Sequence, residues 1–204
     1  MNVWVLALLA MVLAYLLGSV SFAVISSRVF GLADPRSYGS GNPGATNVLR
    51  SGNKAAAIVT LVGDLLKGLA AVLLAKLATE HYQLAGYVPA LCGLAAFLGH
   101  LFPAFHRFKG GKGVATAAGV LFGLNVILGL AVAATWAIIF FFFRLSSLAA
   151  LIAAVSAVFF QILWLGFRIE SVAVFVMSAF LIYRHKQNIE RLLSGKEGRV
   201  GRAK

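Results

Sequence analysis

Six apolar runs, at residues 2–26, 55–77, 85–105, 114–143, 147–166 and 171–184, take up most of this chain, and nearly all of its charge lies between them. A helix of about 20 apolar residues crosses the ~30 Å hydrocarbon layer of a bilayer with its backbone hydrogen bonds satisfied internally. Runs of this length in succession leave little chain for a water-soluble core. Charged residues make up 12% of the sequence, where a soluble domain carries about 25%. The sequence therefore predicts an all-α integral membrane protein, with residues 1–204 as a single polytopic domain.

The fourth run decides the topology. Residues 114–143 are long for one crossing and short for two, and Gly123, Asn125 and Gly129 mark a break midway. One crossing would put the first two polar loops on one side and the basic tail on the other. Two passes bring all three to the same side. That side then holds 15 of the 18 Lys and Arg residues: Arg28, Arg36, Arg50, Lys54, Arg107, Lys109, Lys112, Arg144 and the seven from Arg184 onward. Cytoplasmic loops collect cationic residues, so the pattern favours seven transmembrane helices, N-terminus outside and C-terminus cytoplasmic.

The net charge of +12 does not point to nucleic acid, because the basic residues form no single stripe with interleaved aromatics. Cys92 is the only cysteine and lies within an apolar run, which excludes an intramolecular disulfide or a cysteine metal cluster. The first run begins without a basic region and is too long for a signal's apolar core, so it reads as the first span. No metal and no cofactor is expected, since no cluster has metal-ligand spacing.

Three polar segments carry the candidate chemistry. Residues 108–116, FKGGKGVAT, set Lys109 and Lys112 among Gly110, Gly111 and Gly113, with Thr116 just beyond. Glycines let backbone N–H groups converge on an anion, and the two lysines add charge to the same point. The nucleotide-binding loop is excluded: His106 stands where that motif needs a glycine, and Gly113 where it needs Ser or Thr. A plain interfacial turn touching lipid headgroups is the simpler alternative.

Residues 38–50, YGSGNPGATNVLR, are dense in glycine and small neutral hydrogen-bonding groups and end on Arg50, whose planar fork suits phosphate. A solvated loop leading to a helix capped by Thr46 or Asn47 is the competing reading. In residues 184–198, RHKQNIERLLSGKEG, His185, Asn188 and Arg191 recur at helical spacing. His185 and Glu190 have the His-x4-acid spacing of many acyltransferases. Five residues rotate a helix through about 500°, which leaves the two about 140° apart and unable to form a dyad. Asp64 and Lys67 sit one turn apart inside the second span, where a pair neutralises itself. His100 lies near the end of the third span, and Ser146 and Ser147 follow Arg144 at a turn.

Together, GSGNPGATN, GHLFPAFHRFKGGKGVAT and RHKQNIERLLSGKE closely resemble the motifs of the bacterial acyl-phosphate:glycerol-3-phosphate acyltransferase (PlsY) family. The resemblance runs through nearly the whole chain and implies a seven-helix enzyme of the bacterial inner membrane, working at its cytoplasmic face. Such an enzyme acylates glycerol-3-phosphate from a fatty acyl phosphate, giving lysophosphatidic acid in the first step of phospholipid synthesis. It implies that Ser40, Asn42, Thr46, Asn47 and Arg50 contact substrate phosphate and hydroxyls. Residues 109–113 would bind phosphate, and His185 and Asn188 would help close the site.

Candidate catalytic residues are thus Lys109, Lys112, His185 and Asn188. Candidate substrate-binding residues are Ser40, Asn42, Gly44, Thr46, Asn47, Arg50, Gly110, Gly111, Gly113, Thr116, Ser147 and Glu197, with Asp64, Lys67 and His100 supporting them from behind. The partners expected are glycerol-3-phosphate, fatty acyl phosphate and membrane lipids, with no nucleic acid and no obligate protein partner. Acyl phosphate is already activated, and no Ser-His-Asp or Cys-His arrangement is present, so direct transfer without an acyl-enzyme is expected. The alternative is a transporter or binding protein for phosphorylated solutes or lipids. A transporter would show a repeated half-structure, and none is seen.

Overall fold

In the computed structural model, residues 2–200 are described; Arg202 and Lys204 of the basic tail lie outside them. Every regular element among the described residues is helical. The order is α1 (Val3–Gly18), α2 (Phe22–Val29), α3 (Ala45–Val48), α4 (Lys54–Tyr82), α5 (Val88–Leu101), α6 (Val114–Leu124), α7 (Val126–Phe143), α8 (Ser146–Leu165), α9 (Ile169–Arg184) and α10 (Lys186–Leu193). Five stretches are long and apolar enough to cross a membrane: Val3–Val29, Lys54–Tyr82, Val88–His106, Val126–Phe143 and Ser146–Leu165. Large apolar side chains such as Leu8, Ile58, Leu74, Phe142 and Phe159 point outward and exposed on these helices, as does Phe175 on α9. A water-soluble fold does not tolerate apolar surface on that scale, whereas lipid does.

Glycine governs how closely the helices pack. A methyl group on Gly119 of α6 would strike the Leu65 backbone of α4, and one on Gly68 of α4 would strike the Thr116 carbonyl of α6. Gly123 lies against Val72 in the same way. Helices in lipid gain little from hydrophobic exclusion, so van der Waals contact at small residues holds them together. The glycines at 113, 119, 123 and 129 accordingly face Phe97, Leu65, Val72 and Phe122, and all four act in packing. Where α1 crosses α5, a methyl on Gly18 would meet the Ala96 backbone, and one on Gly99 the Tyr15 and Ser19 backbone.

One departure from the sequence reading matters for the site. The first apolar run is not one helix: α1 stops at Gly18 and α2 starts at Phe22. The Ser19 hydroxyl bonds back to the Tyr15 carbonyl at 2.9 Å and receives the Ala104 amide at 3.2 Å. The break leaves the Val20 carbonyl open to an outside donor. The fourth run does break where expected, at Asn125, whose backbone is extended and whose side-chain oxygen accepts from the Leu128 amide at 3.0 Å to start α7. At 11 residues, α6 rises only about 16 Å.

Gly119→Val should lower the thermal unfolding midpoint of the detergent-purified protein, because overpacking of this kind costs about 1–3 kcal/mol and backbone cannot yield as a side chain can. An unchanged midpoint would show that α4 and α6 do not need this close approach.

Candidate active site

The first polar segment is organised around Asn47. It is 2% exposed, and its side-chain oxygen accepts from the Ser40 amide at 2.9 Å and the Ser40 hydroxyl at 3.2 Å. Its amide nitrogen donates to the carbonyls of Pro35 at 2.6 Å and Tyr38 at 3.1 Å. Both donors are committed, so Asn47 is a brace for the loop and not an open ligand group. Neither it nor Thr46 caps a helix: Gly44 precedes α3, and Asn53 caps α4 by accepting from the Ala56 amide. Gly39 and Gly41 have left-handed φ values of 61° and 66°, and a methyl on Gly39 would collide with the Asn47 side chain. Ser40, Thr46 and Arg50 remain exposed, with Asn42 half-buried. Beside them Arg36 grips Asp34 through two hydrogen bonds and holds its carboxyl down to about 2.

The glycine-rich segment follows two consecutive non-glycine residues in left-handed conformation, Arg107 at φ 53° and Phe108 at 58°. The Phe108 and Lys109 amides hold this bend by donating to Pro103 and His106. The expected cradle of glycine N–H groups is not where it was placed. The Gly110 amide donates to Leu101 and the Gly111 amide to His100, each at 3.1 Å. These two glycines serve close approach instead, since a methyl on either would strike His100. Their carbonyls accept from Arg184, at 2.8 Å on Gly110 and 3.2 Å on Gly111. The amides still free of intrahelical partners are those opening α6, after Gly113 turns the chain at φ 82°. Thr116 is fully buried against α4, and its hydroxyl meets no partner and no open surface.

Lys109 is exposed, whereas Lys112 is half-buried and donates to the Asn188 side-chain oxygen. Burial pushes the Lys112 ammonium down to about 8, helped by the positive charges of Arg191, Arg184 and Arg50 and opposed by Glu197. The first and second polar segments therefore meet here, with Arg50 near enough to be felt by Lys112. Asn188 passes the chain of contacts on to Glu197, whose Oε1 it reaches at 2.6 Å. The same oxygen accepts from the Ser147 hydroxyl at 2.7 Å, and Oε2 accepts from Arg191 at 2.7 Å. Burial alone would raise the Glu197 carboxyl, but hydrogen bonds from Ser147, Arg191 and Asn188 outweigh it and hold it ionised.

His185 joins α9 to α10 and is 3% exposed. Its Nδ1 lies 2.8 Å from the Leu181 carbonyl, which only accepts, so the proton is on Nδ1 and Nε2 is bare. Burial pushes its pKa down to about 4, which keeps it neutral and makes it a weak base at neutral pH. Glu190 is exposed on α10, apart from this arrangement.

Behind the glycine segment, Lys67 is 3% exposed and has its ammonium fully engaged. It lies 2.8 Å from Asp64 Oδ1, 2.6 Å from the Val20 carbonyl and 3.0 Å from His100 Nδ1. Two of these contacts are hydrogen bonds and the third is an ion pair, so Lys67 is held in place by α4, α5 and the α1–α2 break. A small cavity between this cluster and Arg36, Pro43 and Lys109 shows that the first and second segments share one wall. Arg184 and Arg191 join the site although the sequence marks them only by charge placement and helical spacing. Their sequence signal was adjacency: both stand inside the third motif, beside His185 and Asn188. Among the described residues, no group of His, Cys, Asp and Glu is arranged to hold a metal ion.

Comparison with known proteins agrees with this geometry. The family model described as glycerol-3-phosphate acyltransferase matches residues 8–195. A glycerol-3-phosphate acyltransferase of Cupriavidus metallidurans is 63% identical over 97% of this chain and 98% of its own. One from Ralstonia nicotianae is 62% identical over 95% and 93%. Among solved structures, the integral membrane glycerol 3-phosphate acyltransferase PlsY in its glycerol 3-phosphate form superposes with a TM-score of 0.88, at 40% identity and 96% coverage of both chains. Its lysophosphatidic acid form gives 0.85 at 39% identity, over 96% of this chain and 95% of that one.

Since Glu197 is the nearby anion that favours charged Lys112, Glu197→Gln should move the Lys112 titration below about 8. NMR of isotopically labelled lysine in detergent reads this directly, and an upward shift would contradict the contact chain.

Proposed function

The chain belongs to the glycerol-3-phosphate acyltransferase family, and from that premise we propose that it transfers a fatty acyl group from acyl phosphate to the 1-hydroxyl of glycerol-3-phosphate, releasing lysophosphatidic acid and phosphate. The observation that carries the reading is the half-buried Lys112 ammonium, set among Arg50, Arg184 and Arg191 and tied to Asn188. Both substrates and both products carry phosphate, so a concentration of cations beside free helix N-terminal amides suits all of them.

The step needs no acyl-enzyme. The glycerol hydroxyl oxygen bonds to the acyl carbonyl carbon, the carbon–oxygen bond to phosphate breaks, and the electron pair leaves on phosphate. Lys112 and Lys109 stabilise that departing charge. Ser147 serves this site by holding Glu197, its hydroxyl donating to the carboxylate oxygen that Asn188 also reaches. His185, at about 4, is too weak a base to take the hydroxyl proton efficiently, so a substrate phosphate takes it. His185 orients the α9–α10 corner.

The charge pattern supports a seven-pass reading in which α6 and α9 are the short crossings. On that reading the N-terminus lies outside, and the three polar segments face the cytoplasm from the inner membrane. The whole chain then acts as one polytopic domain, with no cofactor and no obligate protein partner.

Purified protein given glycerol-3-phosphate and palmitoyl phosphate should form lysophosphatidic acid. Absence of product together with vesicle uptake of a phosphorylated solute would favour transport instead. Lys109→Ala and Lys112→Ala should each lower turnover about 100-fold or more while inserting normally, the scale of losing one donor to developing charge. Wild-type turnover in either would remove the phosphate role. The pH profile should lose activity above about 8 as Lys112 deprotonates, and show no limb near neutrality from His185. A limb near neutrality that disappears in His185→Gln would make this histidine the base.

A further inference from the structure

A second cavity, of about 400 Å³, lies at the other end of the bundle. Its walls are the C-terminal ends of α4, α6 and α8 and the N-terminal ends of α5 and α9. The candidate active site uses the opposite ends of those helices, and α8 alone separates the two levels by about 30 Å. The cavity is therefore independent of the acyl-transfer site. Its volume falls within the ~300–1,000 Å³ of small-ligand sites.

Its lining holds two cations, Lys76 and Arg168, and two anions, Glu80 and Glu170. None of the four is paired with another charged side chain among the described residues. Lys76 gives one hydrogen bond to the Leu124 carbonyl at 3.1 Å, which leaves two ammonium protons. Gln161, 2% exposed, lines the same space and donates to Ser171, leaving its carbonyl oxygen without a protein donor. The Thr79 hydroxyl, also in the lining, is buried without a partner. Opposed charges that decline to pair with each other favour a ligand that carries both signs. A purely anionic ligand would meet Glu80 and Glu170, and a purely cationic one would meet Lys76 and Arg168.

The level of this cavity in the membrane is marked by aromatics. Trp4, Tyr82, Trp164 and Phe167 stand at the same ends of α1, α4 and α8, exposed by 68, 49, 49 and 79%. Exposed Trp and Tyr belts sit at the headgroup layer. We propose that this cavity binds a phosphoethanolamine zwitterion, as borne by an amine-headed phospholipid of the opposite leaflet. Its phosphate lies toward Lys76 and Arg168 and its ammonium toward Glu80 and Glu170.

Native mass spectrometry of the delipidated protein, recharged with phosphatidylethanolamine or with phosphatidylglycerol, tests this. Wild type should retain phosphatidylethanolamine about tenfold better. Glu80→Gln with Glu170→Gln should abolish that preference, and Lys76→Gln with Arg168→Gln should weaken retention of both lipids. Both double variants should keep wild-type formation of lysophosphatidic acid, which controls for folding and separates this site from the acyl-transfer reading. Soluble glycerophosphoethanolamine that competes the lipid away supports the site with a free headgroup sufficing. Lipid retention without such competition supports it with the acyl chains required. Equal retention of the two lipids by wild type, or a preference unchanged in both double variants, overturns the proposal.

Discussion

A single ammonium group, that of Lys67, fixes the relation of four pieces of chain. A charge buried within a membrane helix must be surrounded by acceptors or it destabilises the fold by several kcal/mol. Asp64 supplies one acceptor from the same helix, His100 brings in α5, and the Val20 carbonyl is open only because α1 and α2 are separate helices. His100 in turn abuts Gly111, and its carbonyl takes the Gly111 amide. The glycine-rich segment is thus positioned from behind by a buried charge. Removing Asp64 or His100 would leave that ammonium short of acceptors, and the disturbance would be felt at the glycine turn.

From the front, the same segment is held by Arg184. Its guanidinium reads two successive glycine carbonyls in the manner of a fork, a geometry that a lysine cannot reproduce. The last long helix and the glycine turn are in this way one mechanical unit. The Glu197 carboxylate extends the unit by joining α8 through Ser147, α10 through Arg191 and Asn188, and through Asn188 the Lys112 ammonium. Residues distant in sequence therefore share one polar network, whose members are mostly saturated. The groups left open are the ones a phosphate would use: Lys109, most of the Arg50 guanidinium and the amides opening α6.

Apolar length and charge placement made the membrane class legible in the sequence, since both follow from what a bilayer tolerates at each depth. The break at Asn125 was legible too, because glycine and asparagine cluster there. The break at Ser19 was not. No proline marks it and Gly18, Ser19 and Ser21 are its only local sign, because its cause is tertiary: the hydroxyl answers Tyr15 and Ala104, and the freed carbonyl answers Lys67. The three polar motifs identified where the site lies, but not the duty of each member. Asn47, Gly110, Gly111 and Thr116 looked like ligand groups by type, yet their polar atoms are turned to the protein or buried. Which way a small residue faces depends on the helix it packs against, and that information is spread over segments far apart in the chain.

On the proposed phosphate role, the depressed Lys112 titration would couple proton uptake to anion binding. In the empty site its charge is opposed by burial and by three arginines, so above about pH 8 the neutral form prevails. A dianion placed beside it reverses the balance and draws a proton from solvent along with itself. Binding would then consume both a phosphate and a proton, and affinity in alkaline solution would fall by as much as about tenfold for each pH unit. Such a site would be a co-receptor for protons, by the same burial that sets the Lys112 titration.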